Sequence, residues 1–353
     1  MNAPNLFFDN GTTPMPNVIA VILTYNRQEL LQRCLDAVYS QTQPCSRVLV
    51  IDNASTDGTR EMLNSLRLPN LEVHVLSRNL GAAGGFNLGF RLAYQKGADF
   101  IWMMDDDVIP TPEALERLCE AEGVLKASNT EYSYLLSAAF TEDGLATNTP
   151  VVDTSKNSIG YPDWTQLIEH GLIAIQRGTF VSILVPRATL ATFGLPIASM
   201  FIWGEDTEFT LRVTRTTPGY LVGNSRVLHL RQKNGAVTIL SEENPARIEY
   251  FKYSIRNNLY VAKKYSLFRQ YAFLMLKDLN WLIRLLRRGQ FQKAKVVMKG
   301  IIGSIGFSPQ VEAADAPFDK AKATFSTFTP VRYELQAANH EMITKKPQVR
   351  MTS

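Results

Sequence analysis

The sequence has few cysteines and no long apolar run, and each shortage excludes a class of protein. Its 353 residues include three Cys. This odd number, without zinc-like spacing, favours neither a disulfide framework nor a zinc module. The longest apolar window, residues 271–286, is interrupted by polar and charged residues and is too polar for a spanning helix of about 20 residues. Residues 1–17 lack the segments of a secretion signal, so we expect a cytoplasmic protein.

Acidic residues are nearly missing from residues 251–300. This segment holds twelve Lys or Arg and one acid, Asp278, in a chain of formal net charge +4. Its aromatic residues alternate with the cations in a pattern that predicts helices. Two interpretations stay open. The helices could lie peripherally on an anionic membrane surface, or they could pack on the rest of the protein with a solvated basic face. Because the basic charge is confined to one segment, no nucleic-acid partner is predicted.

The fingerprint Gly-x-Gly-x-x-Gly is also missing after the first apolar run, which argues against a dehydrogenase. Between residues 18 and 107 the chain instead alternates short apolar runs with helical patterns. This alternation predicts an α/β fold with a Rossmann-like, mostly parallel sheet flanked by helices. The predicted strands are Val18–Leu23, Arg47–Ile51, Leu71–Leu76 and Asp99–Met104, and the clearest helix is Gln28–Tyr39.

Later segments give weaker patterns. A Pro at a first helical position predicts a helix ending near Ala127, and strand-like runs follow at 134–140, 179–185 and 220–228. Residues 141–178 are irregular, as in a loop-rich insertion. We predict an N-terminal extension (1–16), a main α/β domain (17–244), a basic aromatic helical region (245–300) and a C-terminal tail (301–353).

Polar residues follow each of the four predicted strands. In chain order they are Thr24, Asn26, Arg27, Asp52, Asn79, Gly81, Asp105, Asp106 and Asp107. The carboxyl ends of parallel strands meet at one edge of a sheet, which is where open α/β sheets bind ligands. Adjacent carboxylates favour a bound cation, and the glycines from Gly81 to Gly85 would let backbone approach a ligand closely. The edge therefore predicts a site for a nucleotide diphosphate with a divalent metal. An acidic turn that closes the strand is the alternative for the triplet.

At these motifs the sequence resembles the family 2 glycosyltransferases, whose nucleotide-sugar-binding domain has the GT-A fold. The resemblance covers residues 18–230 and rests on residues 21–27, 50–59, 79–81, 105–107 and 203–206. It implies that residues 17–244 are the catalytic domain and that Asp52 lies at the nucleotide base. It also implies that Asp105 contacts ribose or metal and that Asp107 binds the metal. The nucleotide-binding set that we expect is Thr24, Asn26, Arg27, Asp52, Asn79, Gly81, Asp105 and Asp106.

The resemblance further implies that Asp206 is the general base. A carboxylate there would deprotonate the acceptor hydroxyl in a single displacement that inverts the anomeric carbon. Capping of a helix N-terminus is the alternative for the pair Glu205-Asp206. We expect Trp203 and Glu205 at the acceptor, although a core position is as plausible for the Trp203 ring.

The galactofuranosyltransferase branch of the family has a His at a similar distance after the base. This likeness implies that His229 is a metal ligand together with Asp105 and Asp107. Two oxygens and an imidazole suit Mn²⁺ or Mg²⁺. A structural role is the alternative for a lone His that follows a strand.

The function implied by the resemblance is a metal-dependent inverting glycosyltransferase. UDP-galactofuranose is the favoured donor and TDP-rhamnose the nearest alternative. The acceptor would be a glycan or a lipid-linked sugar in cell-surface polysaccharide synthesis, such as O antigen. A nucleotide-sugar-binding module without catalysis is less favoured, because a decayed site would be expected to lose one of Asp107, Asp206 and His229. The sequence does not indicate an oligomeric state.

Overall fold

The computed structural model describes residues 16–230, 238–266, 268–317 and 324–330. Nearly all of the predicted N-terminal extension and much of the predicted tail lie outside the described residues. Within the described ranges, one mixed sheet is flanked by helices, and three long helices follow it. The predicted α/β class with a C-terminal helical region is therefore confirmed.

The first half of the chain forms a regular βα array. Its elements are β1 (Val18–Thr24), α1 (Gln28–Tyr39), β2 (Arg47–Asp52), α2 (Thr59–Ser65), β3 (Leu71–Leu76), α3 (Gly81–Gln95) and β4 (Phe100–Asp105). The four strands pair in parallel in the order β3-β2-β1-β4. The register sets Thr24 opposite Asp52 and Leu23 opposite Asp105, so the polar strand ends meet at one edge as expected.

The second half extends the sheet with antiparallel strands. Its elements are β5 (Val108–Pro110), α4 (Ala114–Ala127), β6 (Leu135–Phe140), β7 (Ala146–Thr147), β8 (Val151–Val152), β9 (Leu172–Arg177), β10 (Ser182–Pro186), α5 (Arg187–Phe193), α6 (Glu205–Thr214) and β11 (Gly219–His229). The main path continues from β4 through β10, β6, β11 and β9 to β8, and only the β6–β11 pair of this part is parallel. The sheet is thus mixed rather than mostly parallel. The stretch 141–178, predicted as loop, contributes β7, β8 and β9.

The C-terminal helices are α7 (Pro245–Tyr265), α8 (Phe268–Arg287) and α9 (Phe291–Ile305). They pack on one another around a separate apolar cluster that includes Phe251, Leu259 and Leu285. None of the helices in the described ranges is long and apolar enough to cross a membrane. A further strand, β12 (Phe325–Phe328), pairs antiparallel with β3, although its residues fall in the predicted tail.

The glycines of α3 serve helix-sheet packing. A Cβ at Gly85 would lie 2.3 Å from Leu23 Cδ1, and one at Gly89 would lie 2.5 Å from Val21 Cγ1. Glycine therefore lets α3 lie directly on β1 inside the buried core. Within the segment that we expected to approach a ligand, Gly81 lines the cavity described below, whereas Gly85 faces the sheet.

Candidate active site

A cavity of about 420 Å³ opens at the carboxyl edge of β1 and β4. Its walls also include the start of α3, the start of α6, the end of β11 and one residue of α7. Eleven of the thirteen predicted site residues line it: Thr24, Arg27, Asn79, Gly81, Asp105, Asp106, Asp107, Trp203, Glu205, Asp206 and His229. Residues separated by up to 205 positions therefore meet in one space.

Asn26 and Asp52 do not line the cavity but order the turn beside it. Asp52 is fully buried, and its Oδ1 accepts a hydrogen bond from Ser55 N at 2.9 Å. Its Oδ2 has no hydrogen-bond partner among the described residues, and burial raises the pKa of this carboxyl. Asn26 Oδ1 accepts from Thr56 N at 2.7 Å, with the Asn26 backbone at a φ of 53°. Both side chains thus fix the polar turn that follows β2.

Arg27 supplies a cation to the acidic triplet. Its Nη1 lies 3.0 Å from Asp106 Oδ1 and 2.8 Å from Asp107 Oδ2. Asp106 also accepts a hydrogen bond from Thr24 Oγ1 at 2.8 Å and is almost fully buried. Burial raises the pKa of Asp106 to about 6 even though Arg27 opposes the shift. Arg27 and Thr24, both expected to hold nucleotide, are therefore in direct contact with the carboxylates that form the floor of the cavity.

Asp107 and His229 approach each other at the end of β11. Asp107 Oδ1 is buried, accepts no hydrogen bond from the residues that the structure describes, and lies 3.5 Å from His229 Nε2. Burial opposes ionisation of Asp107, but His229 and Arg27 outweigh it and lower the pKa of this carboxyl. His229 Nδ1 lies 2.8 Å from Asn148 Oδ1, and since that oxygen can only accept, the ring donates from Nδ1. The Nε2 atom then lies on the side of Asp107, and the ring is oriented by a second partner, as in metal-binding His residues.

The predicted ligands fit a divalent metal in part. Across the described ranges, no three His, Cys, Asp or Glu side chains converge closely enough to hold a metal by themselves. Asp107 Oδ1 and His229 Nε2 are a suitable oxygen and nitrogen pair, and Asp105 lines the same cavity. Burial, followed by the charges of Asp107 and Asp106, raises the pKa of Asp105. A bound cation, or a proton on one of these carboxylates, would relieve this repulsion. Asp107 and His229 as two protein ligands, together with oxygens of a bound phosphate, would therefore suit a divalent metal.

The acidic pair lies in the first turn of α6 and lines the same cavity. Asp206 Oδ1 accepts a hydrogen bond from Thr207 N at 2.6 Å, and burial raises the pKa of Asp206. Glu205 is 5% exposed, and its Oε2 has no hydrogen-bond partner in the described part of the chain. Burial first, and then Asp206, raise the pKa of Glu205 well above its usual range. The helix N-terminus stabilises negative charge here. A carboxylate with a raised pKa inside a cavity is suited to accept a proton.

The loop that leads to this pair has an unusual backbone. Phe201, Trp203 and Gly204 have φ values of 67°, 61° and 124°. Phe201 is the centre of a γ-turn in which Ile202 N donates to Met200 O at 2.8 Å, a strained conformation for a residue with a side chain. For Phe201 and Trp203, which carry side chains, such a backbone costs of order 1–3 kcal/mol each and persists because the surrounding structure imposes it. The Trp203 ring packs against Phe251, with ring centroids 5.1 Å apart, so it has a core contact as well as a cavity position.

Several functional contacts were absent from the sequence prediction. Asn148 orients His229 from within the supposed loop, and its positive φ of 49° leaves only a weak signal in sequence. Asn53 Oδ1 accepts a hydrogen bond from Leu80 N at 2.8 Å, and Asn53 Nδ2 donates one to Gly81 O at 3.0 Å. These two hydrogen bonds hold the loop before α3. Tyr250 brings α7 into the cavity wall. These contacts depend on the pairing of segments far apart in the chain.

Comparison with known proteins gives independent matches. Residues 19–122 match the family described as Glycosyl transferase family 2. The chain is 31% identical over 216 residues to "Galactofuranosyltransferase GlfT1" of Mycolicibacterium smegmatis, which covers 56% of this chain and 66% of that protein, just under two thirds. It is 39% identical over 106 residues to "Undecaprenyl-phosphate mannosyltransferase" of Micrococcus luteus, covering 30% and 43%. The structure of S. aureus TarS 1–349 in complex with UDP-GlcNAc is similar with a TM-score of 0.46 and 14% identity, covering 84% of this chain and 97% of that one.

Proposed function

We propose that this chain, which carries a glycosyl transferase family 2 domain over residues 19–122, transfers a sugar from a nucleoside diphosphate donor with inversion. One observation carries the proposal: the acidic triplet, His229 and the base candidate Asp206 all line the same cavity. The strand ends that carry the triplet, here called the donor wall, suit a diphosphate. The loop and helix start that carry Asp206, here called the base wall, suit an acceptor hydroxyl.

The favoured donor is UDP-galactofuranose. The likeness to a galactofuranosyltransferase supports this choice and extends beyond the family 2 domain, because it spans 216 residues. TDP-rhamnose is the alternative donor. A binding module without catalysis is disfavoured, since the proposed base and the proposed donor-binding residues converge in one cavity.

Asp107 and His229 would hold Mn²⁺ or Mg²⁺, and Asp105 would contact the ribose or join the metal. When bound, the metal supplies positive charge that stabilises the departing diphosphate. Arg27 holds Asp106 and Asp107 in place by its two contacts, and Thr24 fixes Asp106 from the other side. Asn53 keeps the loop around Gly81 close to the donor, where backbone can approach the nucleotide.

Asp206 would take the proton from the acceptor hydroxyl as that oxygen attacks the anomeric carbon on the face opposite the diphosphate. A bond forms between acceptor oxygen and the anomeric carbon while the bond to the diphosphate oxygen breaks, and the configuration inverts. Glu205 and Trp203 would bind the acceptor beside it. Burial of Asp206 raises its affinity for the proton, which favours the base role.

The acceptor is proposed to be lipid-linked and reached at an anionic membrane surface. Helix α8 is apolar on two sides. One side packs on the neighbouring helices through Leu274, Met275, Leu282 and Leu285. The other side exposes Phe273, Leu276, Leu279, Ile283 and Leu286, and the same helix carries the basic side chains of Arg269, Arg284 and Arg287. An exposed apolar stripe flanked by cations suits a helix that lies in the headgroup layer of anionic lipid.

The decisive experiment offers the purified protein a panel of nucleotide sugars with Mn²⁺ and measures transfer to a lipid-linked glycan. Turnover of UDP-galactofuranose that exhaustive chelation abolishes and Mn²⁺ restores is expected. Activity that survives chelation would remove the metal from the proposal, and failure with every nucleotide sugar would remove the transferase. Vesicle sedimentation with and without anionic lipid tests the membrane contact, with the double variant Leu276→Glu and Ile283→Glu expected to lose binding.

A further inference from the structure

We propose that Asn257 of α7 is a positioning residue that holds the Met200–Gly204 loop in the strained conformation that aims Asp206 at the acceptor. The inference rests on the proposed function, because it takes Asp206 as the base. Asn257 itself does not line the cavity, and it acts through the backbone of the loop.

The Asn257 side chain is fully buried against this loop. Its Nδ2 lies 2.9 Å from Met200 O, 3.1 Å from Ile202 O and 3.0 Å from Trp203 O. The two N–H groups of this amide are thus shared among three carbonyls of the loop, and Met200 O also accepts from Ile202 N. Buried carbonyls without a donor are costly, so these contacts stabilise the unusual backbone of the loop.

Arg256 fixes the orientation of the Asn257 amide. Its Nε and Nη2 donate to Asn257 Oδ1 at 3.1 and 3.0 Å. The same Nη2 lies 2.8 Å from Ser199 O and 3.1 Å from Met200 O. Since the oxygen of the amide faces a cation, its nitrogen must face the loop carbonyls.

The fit between loop and helix is close at the last loop residue. A Cβ at Gly204 would lie 2.9 Å from Asn257 Cβ, and the φ of 124° strains any other residue there. Gly204 is followed directly by Glu205 and Asp206, the first residues of α6. The contact between Asn257 and Gly204 therefore fixes the backbone directly before Glu205 and Asp206.

The other side of the loop contacts the start of α3, which lies beside the donor wall. Phe201 O accepts a hydrogen bond from Ala83 N at 2.9 Å, and a Cβ at Gly81 would lie 2.1 Å from Phe201 O. Asn53 holds the Gly81 loop independently of α7. Loss of the Asn257 contacts would thus leave Asp206 without a fixed position, whereas Asn53 would still support the Gly81 loop beside the donor wall.

The test compares Asn257→Ala and the isosteric Asn257→Asp with the matched control Asn258→Ala. Asn258 is the next residue on α7 and is exposed. For both Asn257 variants we expect kcat at saturating acceptor to fall about 100-fold, the scale for a base displaced by about 1 Å. We expect the donor Kd, measured by calorimetry, to stay within about twofold of wild type on the same scale. Asn258→Ala should match wild type in both quantities.

Gly204→Ala is a second variant that disturbs the same contact from the loop side, and it should give the same split between kcat and donor Kd. Parallel loss of donor binding and turnover, or a fall in the thermal midpoint that accounts for the lost turnover, would overturn the positioning role. Unchanged kcat in the Asn257 variants would also overturn it. A wild-type protein without any transfer activity would instead refute the proposed function, so the two failures are distinguishable.

Discussion

The two walls of the cavity are built in different ways. The donor wall consists of the ends of neighbouring parallel strands within residues 24–107, held by regular strand pairing and a core on both faces of the sheet. The base wall consists of a loop with three positive φ angles that is held by Asn257 and Arg256 of α7. Regular packing distributes its energy over many contacts, whereas the loop depends on few. We therefore expect substitutions behind the donor wall to reduce stability and substitutions on the base wall to reduce turnover.

The largest effect is expected for Asp206→Asn on the base wall. Removal of a general base lowers kcat by about 10³, while the fold and the donor wall stay intact. Turnover and donor Kd measured on the same preparation check this outcome. Turnover equal to wild type would remove Asp206 from the base role, and a donor Kd weakened in proportion would erase the distinction between the walls.

Gly89→Ala tests the packing of α3 against β1, one of the strands whose ends form the donor wall. The new methyl group would lie 2.5 Å from the β-branched Val21, which cannot turn away inside the core, so the free energy of unfolding should fall by about 2 kcal/mol. The matched control is Gly123→Ala in α4, where no atom outside the adjoining residues and helix backbone lies within 4 Å among the described residues. Because alanine has a better helix propensity than glycine, this control should raise the free energy of unfolding by up to about 1 kcal/mol. Urea unfolding measures both, and equal effects at the two sites would contradict tight packing of α3.

Asn148→Ala tests the hydrogen bond that orients His229. Without the acceptor at 2.8 Å, the imidazole loses its fixed orientation, and the Mn²⁺ concentration for half-maximal activity should rise about tenfold. The kcat at saturating Mn²⁺ should change little. An unchanged Mn²⁺ dependence would show that Asn148 does not orient a metal ligand.

The smallest effect is expected at the outer edge of the sheet, where the pKa of His74 is lowered to about 4 by burial, with Glu72 opposing the shift and Lys96 adding to it. The unfolded chain, with a His pKa near 6.5, then binds more protons than the folded one as the pH falls. Stability should therefore fall by roughly 1 kcal/mol between pH 7 and pH 5.5. Thermal or urea unfolding at both pH values measures it. His74→Gln should lose this pH dependence, and a variant with the wild-type slope would contradict the assignment.

The sequence predicted the donor wall well because its order is local. Each strand in residues 18–105 has its own apolar run, and the predicted ends agree with the structure within one residue. Parallel pairing then brings the polar ends together without further information. The convergence of Asp206 and His229 with this edge was predicted from motif likeness alone, and the structure brings both into the cavity.

The remaining features could not be predicted, because they depend on contacts between distant segments. Asn257 follows Met200 by 57 positions, and nothing near it in sequence marks it as the partner of a strained loop. The glycines of α3 resembled a ligand loop, since composition cannot distinguish approach to a ligand from approach to a strand. Residues 141–178 were predicted as loop because strands of two residues, such as β7 and β8, give no periodic pattern.

Strand β12 has a consequence for how the protein forms during synthesis. Thr327 contacts His74 across 253 positions, so β3 has no partner on its outer side until that late segment has been made. At about 5–20 residues per second, the ribosome needs roughly 10–50 s to add this length of chain. During that interval β3 is an unpaired strand edge, which is a site for association with other nascent chains. The charged side chain of Glu72 on β3, with Arg47 and Lys96 paired to it, would oppose such association while the chain is still being made.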